Sequence, residues 1–411
     1  MLTKKWRRTW RTYVGAVLMS GLALPALTSS PAVAATARLQ RSLDAVHAAG
    51  MPGVYAAVRD GGRTWKGASG VADTSTGRPV TPDSRHRIGS ITKTLTATAV
   101  LQQVAQGRIA LDAPIGRYLP DLVPGERGRQ ITVRMLLNHT SGINDYDDAV
   151  FASLGQGSTA DLDRYRFHTF RPEELVRIGM NRPATNEPGA KWAYSNTNYV
   201  LAGLLLEKVT GRPAATYITE HVIRPAGMRH TYFPGTNPYI AGPHSKAYYP
   251  LYGLVDPPGE YSVYNMSWAS TAGEVVSTMA DLDAFYAALL GGRLVPAAEL
   301  AEMERTVPML DASGAHVGDY GLALFRLDLP CGRVWGHDGA VFGMETMALS
   351  SADGRRQLAY GLNESTYQHL KADGTLEESP IDDALRAFIL GAMCPGGSSD
   401  TSAHPLRLPK L

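Results

Sequence analysis

The chain has 411 residues, of which 44% are hydrophobic and 19% are charged, and its formal net charge is +2 at pH 7. This composition supplies a large apolar core, and the length allows two domains or one large composite domain. The near balance of charges excludes a broad basic surface, so we expect neither a nucleic-acid partner nor a basic membrane-binding patch.

Residues 1–34 have the pattern of a secretory signal peptide. A basic start precedes a short apolar run, and Ala32-Val33-Ala34 forms an A-x-A cleavage site. Removing five basic residues and no acidic residue would change the formal net charge from +2 to −3. We expect an exported, extracellular protein with no membrane span after cleavage. The basic residues are Lys4, Lys5, Arg7, Arg8 and Arg11.

Helices and one hairpin are predicted in the first three quarters of the chain. An amphipathic helix starts at Thr36 as N-cap, and a hairpin turns through Asp60-Gly61-Gly62. Residues 231–265 are rich in Tyr, Pro and Gly without a clear period, which is typical of a functional loop. The predicted helices are 36–49, 90–107, 131–138, 197–210 and 272–290, and the hairpin strands are 54–59 and 63–68.

The last quarter of the chain changes to strands. Residues 320–327, 333–337, 343–350 and 357–363 are predicted strands, and 381–393 is a predicted closing helix. Because strands occur at both ends, we expect an α/β fold of the α+β sandwich type. Its antiparallel sheet combines N- and C-terminal segments, with helices around it and a mostly helical insertion at roughly 100–290. This domain would cover 35–395, and 396–411 would be a disordered tail.

The two cysteines, Cys331 and Cys394, allow two interpretations. Export makes a disulfide between them plausible, since oxidising compartments preserve such bonds. The alternative is a pair of buried free thiols.

The stretch Ser90-Ile-Thr-Lys93 is the first candidate for chemistry. A serine in the first turn of a helix and a lysine three residues later share one face, which brings an amine next to a hydroxyl. That arrangement activates a weak nucleophile. Taken alone, the motif also fits an N-capping serine followed by a solvated lysine.

Two later motifs favour the chemical interpretation: Tyr194-Ser-Asn196 and His337-Asp338-Gly339. With these three motifs in this order, the chain resembles the penicillin-recognising serine hydrolases. These include class C β-lactamases and exported D-alanyl-D-alanine carboxypeptidases of actinomycetes. The resemblance covers nearly the whole mature chain and implies a β-lactamase/transpeptidase-like fold. It also implies that Cys331 and Cys394 form a disulfide.

The resemblance and the chemistry of the side chains together imply roles for the motif residues. Ser90 would attack an acyl carbon, and Lys93, with its pKa lowered by burial, would take the serine proton. Tyr194, made easier to ionise by the charge of Lys93, would pass a proton to the leaving group. Asn196 would fix Lys93 and bind an acyl-side amide, and His337 would tune the field around Tyr194.

Further residues are candidates for substrate contact or support. The N–H groups of Ser90 and Ala340, the latter just after Gly339, would form an oxyanion hole. Trp268 either belongs to the core or lines the acyl pocket. His139 is interpreted as a structural residue that caps a turn.

Two positions depart from the carboxypeptidase pattern. Relatives place threonine where this chain has Asp338, whose carboxylate would repel a substrate carboxylate if it faces the cleft. Relatives also carry an arginine on the preceding strand, where this chain has Phe325. Arg326 follows on the opposite strand face, and a one-residue bulge would be needed to return it to the site.

The leading hypothesis is therefore an exported serine D-alanyl-D-alanine carboxypeptidase or a related D-peptidase on cell-wall-type peptides. The alternatives are a serine esterase or amidase for small acyl compounds, a β-lactamase, and a non-catalytic penicillin-type binder. We expect a monomer without a cofactor. We also expect no metal, because no H-E-x-x-H motif occurs. Its partners would be peptide or small acyl substrates, including peptidoglycan stem peptides and β-lactams.

Overall fold

A computed structural model describes residues 31–311 and 314–395 of the chain. The basic and apolar parts of the predicted signal peptide, and the predicted tail 396–411, lie outside the described residues. The α-helices are α1 Pro31–Ala48, α2 Ile91–Ala105, α3 Gly125–Gln130, α4 Val133–Leu137, α5 Asp147–Val150, α6 Ala160–Tyr165, α7 Pro172–Asn181, α8 Asn196–Thr210, α9 Ala214–Ile218, α10 Arg224–Ala226, α11 Ser270–Gly273, α12 Met279–Leu290, α13 Ala297–Met303 and α14 Pro380–Met393.

The long strands come from the two ends of the described chain. A hairpin near the N-terminus and a series of hairpins near the C-terminus supply them, and short strands lie in the helical part. The strands are β1 Gly53–Asp60, β2 Arg63–Asp73, β3 Arg78–Pro79, β4 His86–Arg87, β5 Tyr248–Tyr249, β6 Gly259–Glu260, β7 Val276–Ser277, β8 Val307–Leu310, β9 His316–Tyr320, β10 Phe325–Leu329, β11 Gly332–Val341, β12 Met344–Ser351 and β13 Arg356–Leu362.

A nine-stranded sheet organises the molecule, in the order β3-β2-β1-β13-β12-β11-β10-β9-β8. Its strand pairs are antiparallel, and β1 lies between β2 and β13, so that Val54 pairs with Leu362. The first and last strands of the chain therefore meet inside one sheet. This confirms the predicted α+β fold with a sheet built from both termini.

Both faces of the sheet are covered, which explains why its strands are rich in buried apolar residues. On one face, Leu43 and Val46 of α1 pack with Phe388 and Ile389 of α14 in one core cluster. On the other face, α12 packs across β1, β12 and β13, and α2 lies against β11 and β12. The helical region between β2 and β8 continues this second core.

Several predicted elements were wrong in their bounds. The strands predicted at 63–68 and 333–337 extend to Asp73 and Val341. The helix predicted at 272–290 is interrupted by β7, and Thr278 caps the start of α12 by accepting a hydrogen bond from the Asp281 N–H. The strand predicted at 320–327 is split into β9 and β10, with Ala323 at φ 62° in the turn between them. Helix α1 begins at Pro31, so Thr36 lies inside it and is not its N-cap.

Helix α2 is buried nearly all round, which is unusual for a helix with several hydroxyl side chains. Its threonines satisfy their hydroxyls locally: Thr96 donates to the Thr271 carbonyl at 2.8 Å, and Thr98 donates to the Thr94 carbonyl at 2.7 Å. A side chain on Gly203 of α8 would come within 2.3 Å of Thr271 Oγ1, so glycine at this position lets α8 and α11 approach closely. Among the described residues, no helix is long and apolar enough to cross a bilayer.

Candidate active site

Ser90 occupies the N-cap position of α2, beside the end of β11. Gly89 has φ +52°, and a side chain on it would come within 2.8 Å of the Ala340 nitrogen. A side chain on Gly339 would come within 2.0 Å of the Ile88 carbonyl oxygen. Only glycine at both positions permits this approach of β11 to the helix start, which brings the Ser90 and Ala340 N–H groups together.

Lys93 lies one turn into α2 and is fully buried. Its Nζ donates to Ser90 Oγ at 2.9 Å, to Asn196 Oδ1 at 2.6 Å and to the Ala272 carbonyl oxygen at 2.9 Å. Burial lowers the pKa of Lys93 to about 7, although nearby carboxylates, Asp145 above all, act in the opposite direction. At neutral pH a large share of Lys93 is therefore a free amine.

Asn196, the first residue of α8, is held by two aspartates that were not predicted as site residues. Its Nδ2 donates to Asp145 Oδ2 at 3.0 Å and to Asp147 Oδ2 at 2.8 Å, while its backbone N–H donates to Asp145 Oδ2 at 2.9 Å. These bonds orient the Asn196 carbonyl oxygen toward Lys93. They also occupy the amide donors that the sequence analysis assigned to an acyl-side amide of the substrate.

Asp145 and Asp147 are two partly buried residues whose carboxyl groups lie close to one another. Burial raises the pKa of Asp145, and it raises the pKa of Asp147 well above its ordinary value, with the charge of Asp145 adding to the effect. The Asp145 Oδ1 oxygen also accepts a hydrogen bond from the Asp147 N–H at 3.1 Å. This pair forms the acidic wall of the site behind Asn196.

Tyr194 stands on the other side of Ser90, with its Oη 2.6 Å from Ser90 Oγ. Lys93 Nζ lies 4.8 Å from the centre of the Tyr194 ring. Burial raises the pKa of Tyr194 well above its ordinary value, and nearby carboxylates raise it further. The expectation that Lys93 makes this phenol easier to ionise was wrong, because loss of solvent outweighs the partly neutral amine.

His139 packs against Tyr194, so its role extends beyond the turn capping that was predicted for it. Its carbonyl oxygen accepts the Ala193 N–H at 2.8 Å, and its Nδ1 accepts the Ser195 N–H at 3.2 Å. Its ring centre lies 4.4 Å from that of Tyr194. His139 thus holds both neighbours of Tyr194 in sequence and packs against its ring. Burial lowers the pKa of His139 well below its ordinary value, so the imidazole is neutral.

His337 lies one layer behind this arrangement. It is fully buried, its Nε2 is 2.8 Å from Tyr320 Oη, and its Nδ1 is 2.6 Å from the Asp338 carbonyl oxygen. The Tyr320 ring centre in turn lies 5.2 Å from that of His139. His337 therefore connects to Tyr194 through Tyr320 and His139. Asp338 is half-buried, and its charge raises the pKa of both Lys93 and Tyr194.

The position of the carboxypeptidase arginine is occupied by an apolar ring. Phe325 is fully buried, with its ring centre 6.0 Å from that of His337. Strand β10 pairs with β11 in regular register, so no bulge returns Arg326 to the site. Arg326 instead makes ion pairs with Asp319 at 2.8 Å and Asp328 at 3.4 Å.

A cavity of about 410 Å³ opens beside Ala340. Trp268 lines it and is also buried, with its ring centre 5.0 Å from that of Phe342 and 5.3 Å from that of Phe151. Trp268 therefore belongs to the core and also lines this cavity. Asp147 contributes a carboxylate to the same wall, so the cavity is mainly aromatic with an acidic side.

Cys331 and Cys394 form a disulfide, which joins the turn before β11 to the end of α14. The bond lies on the α1/α14 side of the sheet. It closes a segment that includes β11, β12 and β13, and so it ties the motif-bearing strand to the closing helix. The alternative of two free thiols is excluded in this structure.

Comparison with known proteins agrees with this geometry. The family model described as Beta-lactamase matches residues 37–360. A D-stereospecific amidohydrolase from Streptomyces sp. is 39% identical with a TM-score of 0.76, and the match covers 89% of this chain and 99% of that one. A D-amino acid amidase from Ochrobactrum anthropi SV3 is 26% identical with a TM-score of 0.73, over 88% and 98% of the two chains.

Curated relatives include an esterase and a penicillin-binding protein. Esterase EstB from Burkholderia gladioli is 35% identical over 223 residues, which cover 52% of this chain and 55% of the esterase, about half its length. Penicillin-binding protein 4* from Bacillus subtilis (strain 168) is 28% identical over 355 residues, which cover 82% of this chain and 72% of that protein. The chain therefore belongs to the beta-lactamase family and is a serine hydrolase of that family.

Proposed function

We propose that the protein hydrolyses amide bonds of D-amino-acid amides and D-peptides whose leaving group carries no carboxylate next to the scissile bond. One observation carries this proposal: within residues 31–311 and 314–395, no arginine is free to bind such a carboxylate where carboxypeptidase relatives carry one. Phe325 fills the expected position, and Arg326 is engaged by Asp319 and Asp328. The carboxyl groups of Asp145, Asp147 and Asp338 act on Lys93, and the more of them are ionised, the more strongly they repel a substrate carboxylate.

The hydrogen bonds around Ser90 support an acyl-enzyme mechanism. Neutral Lys93, 2.9 Å from Ser90 Oγ, takes the hydroxyl proton as the oxygen attacks the acyl carbon. The N–H groups of Ser90 and Ala340 stabilise the oxyanion of the tetrahedral intermediate. Tyr194, protonated and 2.6 Å from Ser90 Oγ, gives its proton to the leaving nitrogen.

The cycle closes without any further group from the protein. The proton that Lys93 accepted replaces the one that Tyr194 donated, so both side chains return to their neutral forms. Water then attacks the acyl-enzyme with Lys93 again as the base, which releases the acid and free Ser90. Asn196 holds Lys93 in place at 2.6 Å throughout.

The relatives support an amidase more than a carboxypeptidase. The two amide-hydrolysing proteins match nearly the full length of their own chains, at 99% and 98%. An esterase is the second candidate, because Esterase EstB is 35% identical over its matched half. A neutral ester could bind in the same site, and its hydrolysis does not require protonation of a leaving nitrogen. D-alanyl-D-alanine carboxypeptidase activity is the less favoured alternative.

The test compares two D-substrates with one purified enzyme. We expect ammonia release from D-phenylalaninamide, and at least about 100-fold lower kcat/KM for an N-acyl-D-Ala-D-Ala peptide, since an unpaired carboxylate must be desolvated next to like charges. Ser90→Ala should abolish both reactions. Equal or faster release of terminal D-Ala would overturn the proposal in favour of a carboxypeptidase.

We also propose that the protein is exported after cleavage following Ala34. Residues 33–38 are exposed, and the buried contacts of α1 begin further along, with Leu43 and Val46. Cleavage there would cost the core nothing, and the Cys331–Cys394 disulfide fits an oxidising compartment. Intact mass of the protein recovered from culture medium should correspond to a chain that begins at Ala35.

A further inference from the structure

Asn196 does not offer the acyl side of the cleft the free donor that an N-acylated substrate needs. A blocked amino acid presents a carbonyl oxygen beside its α-carbon, and a carboxamide N–H would be its natural partner. The Nδ2 group of Asn196 is already bound by Asp145 and Asp147 at 3.0 and 2.8 Å. A carbonyl arriving here would meet carboxylate oxygens and no free amide hydrogen from Asn196.

The carboxyl group of Asp147 can accept a further hydrogen bond. Its Oδ2 accepts from Asn196, whereas its Oδ1 is buried and, within residues 31–311 and 314–395, has no hydrogen-bond partner. A buried carboxylate oxygen without a partner is costly unless a ligand supplies one. Asp147 lines the cavity that also contains Ala340, so a substrate held by the oxyanion N–H groups lies next to it.

The charges around the cavity are unequal. Asp145, Asp147 and Asp338 all act on Lys93, whose own charge is partly lost at neutral pH. Burial raises the pKa of Asp145 and Asp147, and a cation that enters the site would stabilise the ionised forms of these carboxyl groups. A protonated α-amine on the substrate supplies both the missing positive charge and the missing hydrogen-bond donors.

Three aromatic side chains line another part of the cavity. Phe151, Trp268 and Phe342 have ring centres 5.0 to 5.3 Å apart and form one apolar surface opposite the acidic wall. The volume of about 410 Å³ is enough for one amino-acid side chain but is small for an additional peptide on the amine side. Aromatic faces also favour a neighbouring ammonium group.

From these contacts we propose that the cavity is an N-terminal residue subsite. Asp147 binds the protonated α-amine of the substrate, and Phe151, Trp268 and Phe342 receive a large apolar side chain. The preferred substrates are then unblocked D-amino-acid amides and D-peptides cleaved after their first residue, and N-acylated stem peptides are excluded. This inference rests on the proposed amide-hydrolase function.

The experiment compares substrates that share one leaving group. Hydrolysis of D-phenylalanine 4-nitroanilide, N-acetyl-D-phenylalanine 4-nitroanilide and 3-phenylpropionyl 4-nitroanilide is followed by 4-nitroaniline release, with Ser90→Ala as blank. We expect kcat/KM to fall at least about 100-fold when the amine is acetylated or absent, because a site built for a donor rejects analogues that lack it. D-Alanine 4-nitroanilide should also be slower than the D-phenylalanine compound.

Variants locate the effect on Asp147. Asp147→Asn should lower kcat/KM for the free-amine substrate by about 10- to 100-fold and reduce its preference over the acetylated one. The matched control is Asp83→Asn, because Asp83 is exposed, pairs with Lys66 at 2.6 Å and does not line the cavity. That control should stay within about threefold of the wild type. The substrate comparison itself needs no variant, so it holds even if Asp147→Asn folds poorly.

The outcomes separate the two proposals. If no 4-nitroanilide is cleaved in a Ser90-dependent way, the amide-hydrolase function itself fails. If acetylated and free substrates are cleaved equally well, the amide-hydrolase function stands and the N-terminal subsite is wrong. A loss of selectivity in Asp83→Asn equal to that in Asp147→Asn would overturn the assignment to Asp147.

Discussion

On one side of Ser90 lie Lys93, Asn196, Asp145 and Asp147, a group we call the Lys93 side. On the other lie Tyr194, His139, Tyr320 and His337, which we call the Tyr194 side. Both are buried, yet the Lys93 side is made of ionisable groups joined by short hydrogen bonds, whereas the Tyr194 side is mostly aromatic rings packed at 4.4 to 5.7 Å.

The same loss of solvent acts on the two sides in opposite directions. It lowers the pKa of Lys93 to about 7 and raises the pKa of Tyr194 well above its ordinary value. Both side chains are thereby neutral near pH 7, one with a lone pair and the other with a proton. The comparison teaches that burial alone assigns the base to Lys93 and the acid to Tyr194.

The largest expected effect comes from replacing the base. Lys93→Met and Lys93→Arg should each lower kcat/KM by about 1,000-fold or more, because neither side chain offers a neutral amine. The arginine variant keeps the positive charge and so tests whether charge alone suffices. Activity of Lys93→Arg within tenfold of wild type, measured on D-phenylalanine 4-nitroanilide, would contradict the base assignment.

Replacing the general acid, Tyr194, should lower activity less than replacing Lys93, and it should leave the dependence of kcat/KM on pH unchanged. Tyr194→Phe is expected to lower kcat by about 100-fold. In both proteins kcat/KM should rise tenfold per pH unit up to about pH 7, because only unprotonated Lys93 is active and its pKa is about 7. If Tyr194→Phe lost this rise of kcat/KM with pH, the general base would be the Tyr194 phenol and not Lys93.

The positioning of Tyr194 by His139 gives the next effect. His139→Asn keeps an acceptor and tolerates the φ of 59°, but loses the ring that packs on Tyr194. We expect kcat to fall about 10-fold with KM within threefold and with the acidic limb still near pH 7. His47→Asn, on α1, is the control. An increase in KM at constant kcat would show that His139 acts on substrate binding.

The smallest expected effect is on stability and not on catalysis, and it comes from a buried carboxyl group. Asp283 on α12 is fully buried, and neither of its carboxylate oxygens has a hydrogen-bond partner among the described residues. Burial raises the pKa of Asp283 well above its ordinary value, so the folded protein holds the neutral acid. Stability is then complete below the unfolded pKa near 4 and is lost as pH rises towards the folded pKa.

Asp283→Asn should therefore raise the free energy of unfolding at pH 8 by about 1 kcal/mol and flatten its dependence on pH, as measured by urea unfolding. Asp281→Asn is the matched control of opposite sign. The Asp281 carboxylate accepts from the His230 N–H at 2.6 Å and from Thr231 Oγ1 at 2.8 Å, so its loss should destabilise the protein. Stabilisation by both variants would contradict the argument from burial.

Much of the fold was accessible from the sequence because its elements have strong local signals. The hairpin at Asp60-Gly61-Gly62 and the closing helix were predicted within a few residues, and so was the union of both termini in one sheet. The break between α11 and α12 was missed, since β7 is only two residues long and its pairing with β4 is not local in sequence.

The residues of the candidate site likewise divide into those that the sequence predicted and those that it missed. The three motifs predicted Ser90, Lys93, Tyr194 and Asn196, and the structure brings them within hydrogen-bond distance of one another. Asp145 and Asp147 were missed because their roles depend on a tertiary contact with α8. The one available signal was three acidic residues in the stretch Asn144-Asp-Tyr-Asp-Asp148, just after a predicted turn.

The pairing of β1 with β13 has a consequence for how the protein is made. Contacts between the first and last strands give the sheet a high contact order, which slows folding because a long loop must close before the pairs form. The strand that carries Gly339 and Ala340 is also among the last to be synthesised. A ribosome-bound chain therefore has Ser90 and Lys93 early but no assembled oxyanion site, and the enzyme stays silent until its synthesis is complete.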